Sequence, residues 1–537
     1  MQPTFNSTAT ALLEDPFPLT PPLSPGERET DACAGDRTPF SEHPPRVRKR
    51  FPLLRGEGQG EGEFAAQPHC SGPSLTRRAF LRRSAAASLL VVPWIIPASV
   101  RGGNGGVAPS ERINVGLIGR GCMGSGHLHV LAGHKQTQLI AVCDVDSTRR
   151  EPGARQADEI CAAQQPAGTV RHCAAINDYR ELLARPDIDA VLIATPDHWH
   201  SLMAIHAAQA GKDVYCEKPV SLTVREGRDM VNTIHRYARV FQTGTQYRSI
   251  PTIRQVCEFV RAGGLGKVKS VFTIWMKTQV PTLGPSYVPL DPALPAEPTP
   301  EGLDWNLWVG PASWRPYNSA YHRNPIPGVV PWVFCDAFGA GAITGYHSHA
   351  ADVIQYAIGT ETTGPVEVLH PSGGQFPTLT CRYANGVLLH HVDHWGQVKE
   401  LYKAVPAEAR LEGLFGGLFV GERGWITSMS GSGPVEGGPA DILREMSLMT
   451  RQVNIGANNH HANWFDCIRS RVPPSAHEEI GHRSASLGQL VAISTSSNAA
   501  CVGIRHRRFS WAMKRRTAYS PAPAASRGRS NYSSRSI

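Results

Sequence analysis

Three turns in this chain carry the residue types and spacing that chemistry needs, and each follows a short apolar run. The glycine-rich turn Gly119-Arg-Gly-Cys-Met-Gly124 comes directly after the run that ends at Ile118. The turns Thr195-Pro-Asp-His-Trp-His200 and Glu217-Lys-Pro219 follow two further apolar runs. Because ligands of open parallel sheets bind at the carboxyl ends of the strands, the three turns predict one site at one sheet edge.

The glycine-rich turn has the spacing of a dinucleotide-binding loop. Gly119 permits a tight turn, Gly121 lets the backbone approach a pyrophosphate, and Gly124 allows close contact between helix and strand. The phosphates would then lie at the N-terminus of a helix that starts near Met123.

A carboxylate follows the glycine-rich turn at the spacing that a dinucleotide-binding unit requires. Asp144 ends the apolar run Gln138–Cys143, twenty residues beyond Gly124, and could accept hydrogen bonds from both ribose hydroxyls. Its charge repels a 2′-phosphate, which favours NAD over NADP. Arg149 and Arg150 are close enough in sequence to leave NADP open.

The surrounding pattern alternates strands and helices. We predict strands over Glu111–Ile118, Gln138–Cys143, Ala190–Ala194, Asp213–Cys216 and Arg239–Gln242, and helices over Trp199–Ala210 and Val224–Tyr237. Alternation of this kind predicts a doubly wound parallel sheet over about residues 110–245.

These motifs, in this order, resemble the Gfo/Idh/MocA oxidoreductase family. The resemblance covers about residues 110–500 and rests on GRGCMG, Asp144, TPDHWH, EKP, GTQYR at 244–248, DWNLWVGPA at 304–312, GAITGYHSHAAD at 341–352 and HHANWFDCIRSR at 460–471. It implies an α/β fold, with an N-terminal Rossmann domain and a C-terminal α+β domain whose large open sheet is mainly antiparallel. It also implies a homo-oligomer formed through that sheet.

The resemblance assigns roles to individual residues. Lys218 would stand at the hydride-transfer centre, and Thr195, Pro196 and His198 would line the nicotinamide half of the site. The implied cofactor-binding set is Gly119, Gly121, Cys122, Met123, Gly124, Asp144, Thr195, Pro196, His198, Glu217 and Lys218, and the implied substrate set is Gln246, Arg248, Tyr346 and Asp352. No metal is expected.

The chain departs from the commonest family pattern at one position. Many relatives carry Asp-x-x-x-His on a helix of the second domain, and His349 matches that His while Gly345 stands in place of the Asp. His349 could still act as general acid or base, because an imidazole works without a carboxylate partner. Asp352, three residues later, could orient the imidazole or lie on a solvated helix face.

The second domain has two sequence features of its own. The alternation in Val268–Lys277 predicts its first long strand, and a further alternating strand is expected over Val387–Trp395. Residues 281–302 contain seven prolines, which predicts a long surface loop.

The two ends of the chain lie outside this pattern. Residues 1–73 contain twelve prolines and no apolar periodicity, which predicts a low-complexity extension. Arg77-Arg78, then Phe80-Leu81, then seventeen uncharged residues resemble a twin-arginine export signal and hence a periplasmic protein. A retained membrane anchor is the alternative, although the apolar stretch is marginal in length and contains Pro93 and Pro97.

Composition narrows the class of protein further. The formal net charge is +9, and nine basic residues lie in 504–537 with no acidic one, so the body is balanced and a nucleic-acid surface is not indicated. The twelve cysteines have no C-x-x-C spacing and are expected to be small buried side chains. The predicted segments are 1–73 (extension), 74–105 (signal), 108–248 (nucleotide-binding domain), 249–500 (second domain) and 501–537 (basic tail).

The sequence leaves three functions open. The first is an exported NAD(P)-dependent oxidoreductase that transfers a hydride between a sugar, inositol or related polyol and a nicotinamide that could stay bound. The second is an NAD-dependent glycosidase of the same family. The third is a binding protein for cofactor and sugar whose catalytic pair has decayed, for which Gly345 is the support.

Overall fold

The computed structural model describes residues 107–164, 171–274, 294–322, 331–401, 411, 416–428, 435–452, 459–497 and 501–502. The predicted low-complexity extension, the export signal and nearly all of the basic tail lie outside the described residues. The described residues belong to one compact unit.

Six strands form the first sheet, in the order β3-β2-β1-β4-β5-β6, and every neighbouring pair is parallel. The strands are β1 (Ile113–Ile118), β2 (Thr137–Cys143), β3 (Ala174–Ile176), β4 (Ala190–Ile193), β5 (Asp213–Cys216) and β6 (Phe241–Thr243). Because helices cover both faces, β2, β4 and β5 are buried along their whole length. The predicted doubly wound sheet is confirmed.

Helices connect and flank these strands. They are α1 (Cys122–Gly133), α2 (Ser147–Gln164), α3 (Tyr179–Ala184), α4 (Asp197–Gln209), α5 (Val224–Tyr237) and α6 (Pro251–Arg261). Local capping fixes some of these ends: Thr223 and Glu226 form a capping box at the start of α5. The predicted helix over Val224–Tyr237 is confirmed to the residue.

The second sheet has eight strands in the order β13-β12-β11-β7-β10-β9-β8-β14. They are β7 (Val268–Ile274), β8 (Glu367–Leu369), β9 (Leu379–Arg382), β10 (Leu388–Val392), β11 (Leu418–Gly421), β12 (Trp425–Thr427), β13 (Gly437–Gly438) and β14 (Cys501–Val502). Among the strands that the structure describes, only the β7–β10 pair of this sheet is parallel, which confirms the mainly antiparallel expectation.

Further helices pack on this sheet and between the two sheets. They are α7 (Trp305–Val309), α8 (Ser319–His322), α9 (Ser348–Ala357), α10 (Trp395–Leu401), α11 (Ala440–Gln452), α12 (His460–Ser470) and α13 (Glu478–Ser497). A π-helical turn, Ala342–Tyr346, precedes α9. The long helix α13 contacts both α5 and α9, so it joins the nucleotide-binding half to the second half.

Several sequence predictions need correction at their edges. The strand β3 was not predicted, and the strand expected over Arg239–Gln242 runs instead over Phe241–Thr243. The strand expected to reach Trp395 ends at Val392, because Trp395 starts α10. Residues 294–302 of the proline-rich segment contain no helix or strand and are largely exposed, as predicted.

The described cysteine side chains are free, and all but Cys122 are buried, which confirms their use as small core residues. In the part of the chain that the structure describes, no helix is both long and apolar enough to cross a membrane.

Three buried histidines make the fold sensitive to acid. Burial lowers the pKa of His198, His347 and His460 to about 4, so these imidazoles are neutral at pH 7. The unfolded chain takes up their protons near pH 6.5, whereas the folded chain takes them up only near pH 4. The contribution of these neutral imidazoles to the free energy of unfolding is therefore complete above pH 6.5, and it is lost as the pH falls from 6.5 to 4.

We expect the free energy of unfolding to fall by about 1 kcal/mol per pH unit for each of the three histidines across this window. Urea unfolding at several pH values between 7 and 4 measures this slope. A free energy of unfolding that stays constant from pH 6.5 to pH 4.5 would contradict the burial of neutral imidazoles.

Candidate active site

The glycine-rich turn connects β1 to α1 through two crowded positions. Gly119 has a φ of +89°, and a Cβ there would lie 2.6 Å from the carbonyl oxygen of Ala194. A Cβ on Gly124 would lie 1.9 Å from the carbonyl oxygen of Gly119. Both positions therefore require glycine, as the sequence predicted.

The middle glycine faces open space instead. A Cβ added to Gly121 would find its nearest neighbour 3.9 Å away. The α1 helix begins at the next residue, Cys122, and Gly121 supplies no side-chain cap to its first N–H groups. A clear approach to uncapped N–H groups at a helix N-terminus fits the pyrophosphate of a dinucleotide.

The Asp144 carboxylate lies beside this turn at the end of β2. Its Oδ2 accepts a hydrogen bond from the Arg120 amide at 2.8 Å, and its Oδ1 accepts one from the Asp146 amide at 2.9 Å. Burial raises the pKa of Asp144, while the charge of Arg149 and the two amides oppose that shift. Each oxygen keeps a lone pair that can accept from a ribose hydroxyl.

These residues fit NAD, whose nicotinamide C4 gives or takes a hydride when the cofactor is bound. The glycine turn would hold the pyrophosphate, and Asp144 would hold the adenosine ribose. Thr195 and Pro196, which follow the neighbouring strand β4, are partly exposed at the same sheet edge.

Lys218 follows β5 and meets the second half of the chain. It precedes Pro219 through a cis peptide bond and is partly exposed. Its Nζ donates to the carbonyl oxygen of Gly345 at 3.3 Å and lies 5.5 Å from the centre of the Tyr346 ring. The π-helical turn therefore places Tyr346 beside Lys218, the lysine predicted to stand at the hydride-transfer centre.

The Tyr346 ring lies beside this lysine. Burial raises the pKa of Tyr346, and the charges of Asp197 and Cys122 add to the shift. Two of the predicted site residues, Lys218 and Tyr346, are therefore in contact.

His349 lies one helical turn beyond Gly345 and is buried. Its ring centre is 4.6 Å from that of Tyr247. Burial and the positive charge of Lys218 lower the pKa of His349 well below its usual value. The imidazole is neutral at pH 7, the form in which one nitrogen can accept a proton.

Packing does not force the glycine at position 345. A Cβ there would meet only the Cγ2 of Val333, at 3.6 Å, which is an ordinary van der Waals contact. The departure from the family's Asp is therefore not a steric requirement of this fold.

Glu217 anchors a buried network that the sequence did not reveal. Its Oε1 lies 2.8 Å from His127 Nε2 and accepts from Gln246 Nε2 at 2.6 Å. Burial alone would raise the pKa of Glu217, but the hydrogen bond with His127 and the nearby positive charges lower it to about 2. Glu217 is one of the predicted cofactor-binding residues, and its carboxylate holds these two side chains in place.

The network extends to the surface through a second histidine. His127 Nδ1 lies 2.9 Å from His461 Nε2, and the ring of His461 stacks on Tyr215 at 5.3 Å. The Oη of Tyr215 in turn accepts from Gln246 Nε2 at 2.8 Å. His127 stands three residues after Gly124, and this position was the one sequence signal for its place beside the turn.

His198 contacts two backbone carbonyls of the second half. Its Nδ1 lies 3.1 Å from the Phe338 carbonyl oxygen and its Nε2 lies 3.2 Å from the Trp308 carbonyl oxygen. The Trp199 indole also donates to the Trp308 carbonyl oxygen. His198 therefore joins α4 to two segments of the second half, and its place beside the nicotinamide stays a prediction.

A second histidine of the same motif holds the site together. His200 is buried, and its two ring nitrogens each lie 2.8 Å from a carbonyl oxygen, one of Thr195 and one of Pro219. It thereby fixes the turn after β4 to the turn after β5. The sequence motif contained His200 but gave no sign of this function.

Three of the predicted substrate residues, Gln246, Arg248 and Asp352, contact other side chains of the protein. Arg248 donates to both oxygens of Asp352 at 2.6 and 2.7 Å, and both side chains are buried. This bidentate pair links the segment after β6 to α9, and both oxygens of the Asp352 carboxylate accept hydrogen bonds from Arg248. Gln246 contacts Glu217 and Tyr215. Of the four predicted substrate residues, Tyr346 is the one that lies against Lys218.

Comparison with known proteins gives two family matches along the chain. Residues 113–245 match the NAD-binding Rossmann fold of an oxidoreductase family, GFO_IDH_MocA. Residues 287–390 match the C-terminal alpha/beta domain of the same oxidoreductase family.

Individual relatives match part of the chain. The levoglucosan dehydrogenase of Pseudarthrobacter phenanthrenivorans is 30% identical over 160 residues, which are 30% of this chain and 40% of the relative. The alpha-N-acetylgalactosaminidase of Shewanella oneidensis is 36% identical over 141 residues, which are 26% of this chain and 30% of the relative. The aligned parts thus span two fifths or less of these relatives.

A solved structure of the WlbA dehydrogenase from Chromobacterium violaceum, in complex with NADH and UDP-GlcNAcA, aligns with 74% of this chain and 97% of its own. Its sequence identity is 17% and its TM-score is 0.49.

The two family matches fall in the order that the two sheets require, the first on the parallel sheet and the second on the region that supplies Tyr346 and His349. Residues 113–245 and 287–390 therefore belong to the two domains of the Gfo/Idh/MocA oxidoreductase family, as the sequence motifs predicted.

Proposed function

We propose that the protein is an NAD-dependent oxidoreductase that transfers a hydride between a carbinol carbon of a sugar, inositol or related polyol and nicotinamide. The observation that carries the proposal is the position of Lys218. Its partly exposed amine lies against Tyr346 at the same sheet edge as the glycine turn and Asp144. A proton carrier beside a hydride acceptor is what oxidation of an alcohol requires.

Each residue of the site has its own role in this reaction. Lys218 exchanges the hydroxyl proton of the substrate, and Tyr346 fixes the lysine side chain. Neutral His349 acts as a second general base or acid for the hydroxyl proton. His200 and the Glu217 network hold the two turns in place from behind.

The absorbance spectrum of the purified protein tests the proposal. Titration with inositols, hexoses and their keto forms, with NAD supplied, should produce or consume the absorbance of reduced nicotinamide for one class of polyol. Protein that carries no nicotinamide, and binds none when it is added, would overturn the proposal.

Asp144 should set the preference for NAD over NADP. Asp144→Asn keeps the size of the side chain but removes the charge that repels a 2′-phosphate. We expect the ratio of NAD affinity to NADP affinity to fall about 10-fold, or about 1.4 kcal/mol. Titration of both cofactors by calorimetry measures the ratio, and Asp466→Asn, at an exposed position, is the control. An unchanged ratio would contradict this role.

A glycosidase is the second candidate, supported by the similarity to an alpha-N-acetylgalactosaminidase. Such a reaction releases free sugar from a glycoside without net formation of reduced nicotinamide. Measuring both products in one assay separates the two activities.

A decayed binding protein is the third candidate, supported by Gly345. In that case the bound cofactor would not be reduced by any polyol. The clearance at position 345 makes Gly345→Asp a direct test, because it restores the carboxylate that many relatives carry. Hydride transfer in the wild-type chain would exclude this candidate.

Export and assembly complete the proposal. Arg77-Arg78 and the apolar stretch that follows support twin-arginine export to the periplasm, and the open second sheet supports a homo-oligomer. NAD that stays bound between turnovers would suit an exported enzyme. Cell fractionation tests the location, and light scattering of the purified protein tests the oligomer.

A further inference from the structure

Asp197 is a buried carboxylate at the start of α4. It is only 3% exposed, although carboxylates ordinarily lie at the surface. Glu181, in the first turn of α3, shows the ordinary arrangement, because it is exposed. A buried charge is costly unless it is paired or hydrogen-bonded, so the surroundings of Asp197 indicate what the carboxylate is used for.

Two hydrogen bonds join the first turn of α4 to the segment that leads into the π-helical turn. The Oδ2 atom of Asp197 accepts from the Ala340 amide at 3.0 Å. The amide of the next residue, His198, donates to the Phe338 carbonyl oxygen at 3.2 Å. The π-helical turn begins two residues after Ala340, so Asp197 is fixed beside its entry.

The same π-helical turn ends at the amine of Lys218. The Gly345 carbonyl oxygen accepts from Lys218 Nζ, and the Tyr346 ring lies beside it. Asp197 and Lys218 follow the neighbouring parallel strands β4 and β5, so both leave the same edge of the sheet. The carboxylate and the amine therefore hold the two ends of one short segment.

Two carboxylates act on the amine of Lys218, and they titrate at different pH. Burial raises the pKa of Asp197 to about 6, while His200, the Ala340 amide and Lys218 oppose that shift and Glu217 adds to it. The pKa of Glu217 is about 2, so this carboxylate keeps its charge at pH 6. Asp197 is ionised at pH 8 and loses its charge as the pH falls through about 6.

We propose that Asp197 is a positioning residue for Lys218: the buried negative charge, fixed beside the entry to the π-helical turn, holds the amine against the Tyr346 ring. The inference rests on the proposed oxidoreductase function, because it assigns Asp197 to the lysine that exchanges the substrate proton. Asp197 acts through Lys218 and is not placed against substrate or cofactor. Protonation of Asp197 leaves the amine with one fewer negative partner.

The ionisable groups around this pair come from α4, the turn after β5, the π-helical turn and α9. Besides Asp197 and Lys218 themselves, they are His200, Glu217, Tyr346 and His349. His349 is neutral at pH 7 and well below it, and burial raises the pKa of Tyr346, so neither changes charge near pH 6. The variants below separate Asp197 from the other members.

Asp197→Asn separates the charge from the hydrogen bond. The amide oxygen can still accept from the Ala340 amide, but the side chain is neutral at every pH, like the protonated carboxylate. We expect kcat at pH 8 to fall on the order of 10-fold, and the acid limb of the wild-type pH–kcat profile near pH 6 to disappear. Glu181→Gln, at the exposed first-turn position of α3, should keep both the rate and the limb.

A second measurement needs no turnover. Reductive methylation with ¹³C-formaldehyde labels the lysines, and comparison with Lys218→Arg identifies the NMR signal of Lys218. Without substrate, this signal should shift with an inflection near pH 6 in the wild type and in Glu181→Gln. The inflection should be absent in Asp197→Asn.

The outcomes separate this inference from the proposed function. A Lys218 signal without an inflection near pH 6 in the wild type, or an inflection that persists in Asp197→Asn, would overturn the role of Asp197. Wild-type kcat with an unchanged acid limb in Asp197→Asn would overturn it as well. If the wild type transfers no hydride but the inflection depends on Asp197, the proposed function fails and the pairing of Asp197 with Lys218 is supported.

Discussion

Replacing Lys218 with Met should lower kcat about 10³-fold while NAD still binds. Met has nearly the length of Lys but carries no proton, so the proton transfer that accompanies hydride transfer loses its carrier. The affinity for NAD should change by less than about threefold, because the glycine turn and Asp144 are untouched. Stopped-flow absorbance of reduced nicotinamide and calorimetric titration of NAD measure the two quantities.

Two further variants define what Lys218 does. Lys218→Arg keeps a positive charge but cannot release a proton at neutral pH, so it should be nearly as slow as Lys218→Met. Lys267→Met, at an exposed position before β7, should keep the wild-type rate. Recovery of activity in Lys218→Arg would show that the positive charge, rather than proton transfer, is what the reaction needs.

Replacing His349 with Gln should lower kcat on the order of 10²-fold. The amide preserves a hydrogen-bonding group of similar reach but cannot take up a proton. Burial keeps the wild-type imidazole neutral at and well below pH 7. The acid side of the wild-type pH–rate profile therefore should not follow the titration of His349.

His347 provides the matched control, because it lies two residues earlier, is buried, and contacts Thr273 of β7 at 3.3 Å. His347→Gln should lower the free energy of unfolding without a comparable loss of kcat. If His349→Gln keeps the wild-type kcat and loses only stability, His349 is a structural histidine.

The parallel sheet was predictable because its strands are buried on both faces. Such strands appear in the sequence as unbroken apolar runs. The strand over Asp213–Cys216 was predicted with the bounds that the structure shows. The strand β3 escaped prediction because Ala174–Ile176 is short and only partly buried. A strand of this kind is held by its pairing with β2, which the local sequence does not encode.

The positions of the glycine turn, Asp144 and Lys218 were predictable because motif spacing fixes where such groups leave their strands, whereas Tyr346 was predicted from the family resemblance alone. The partners of Glu217 were not, because His127 and His461 are separated from it by 90 and more residues and meet it only in the folded chain. The histidines of the Thr195–His200 turn show the same limit. Their backbone contacts with Phe338, Trp308 and Pro219 depend on segments far along the chain.

Arg248 and Asp352 illustrate a different limit. Both are charged and stand in family motifs, so a role in substrate binding was a reasonable inference. Their mutual bidentate contact satisfies each charge internally, and that pairing is visible only once the segment after β6 lies against α9.

Transfer of deuterium tests the central claim most directly. The protein is incubated with NAD and a polyol whose carbinol C–H hydrogen is replaced by deuterium, and the nicotinamide is then analysed by mass spectrometry. The account predicts reduced nicotinamide that carries the deuterium in the wild type, and about 10³-fold less of it in Lys218→Met over the same time. Absence of deuterium from the nicotinamide across the inositols and hexoses would contradict the account.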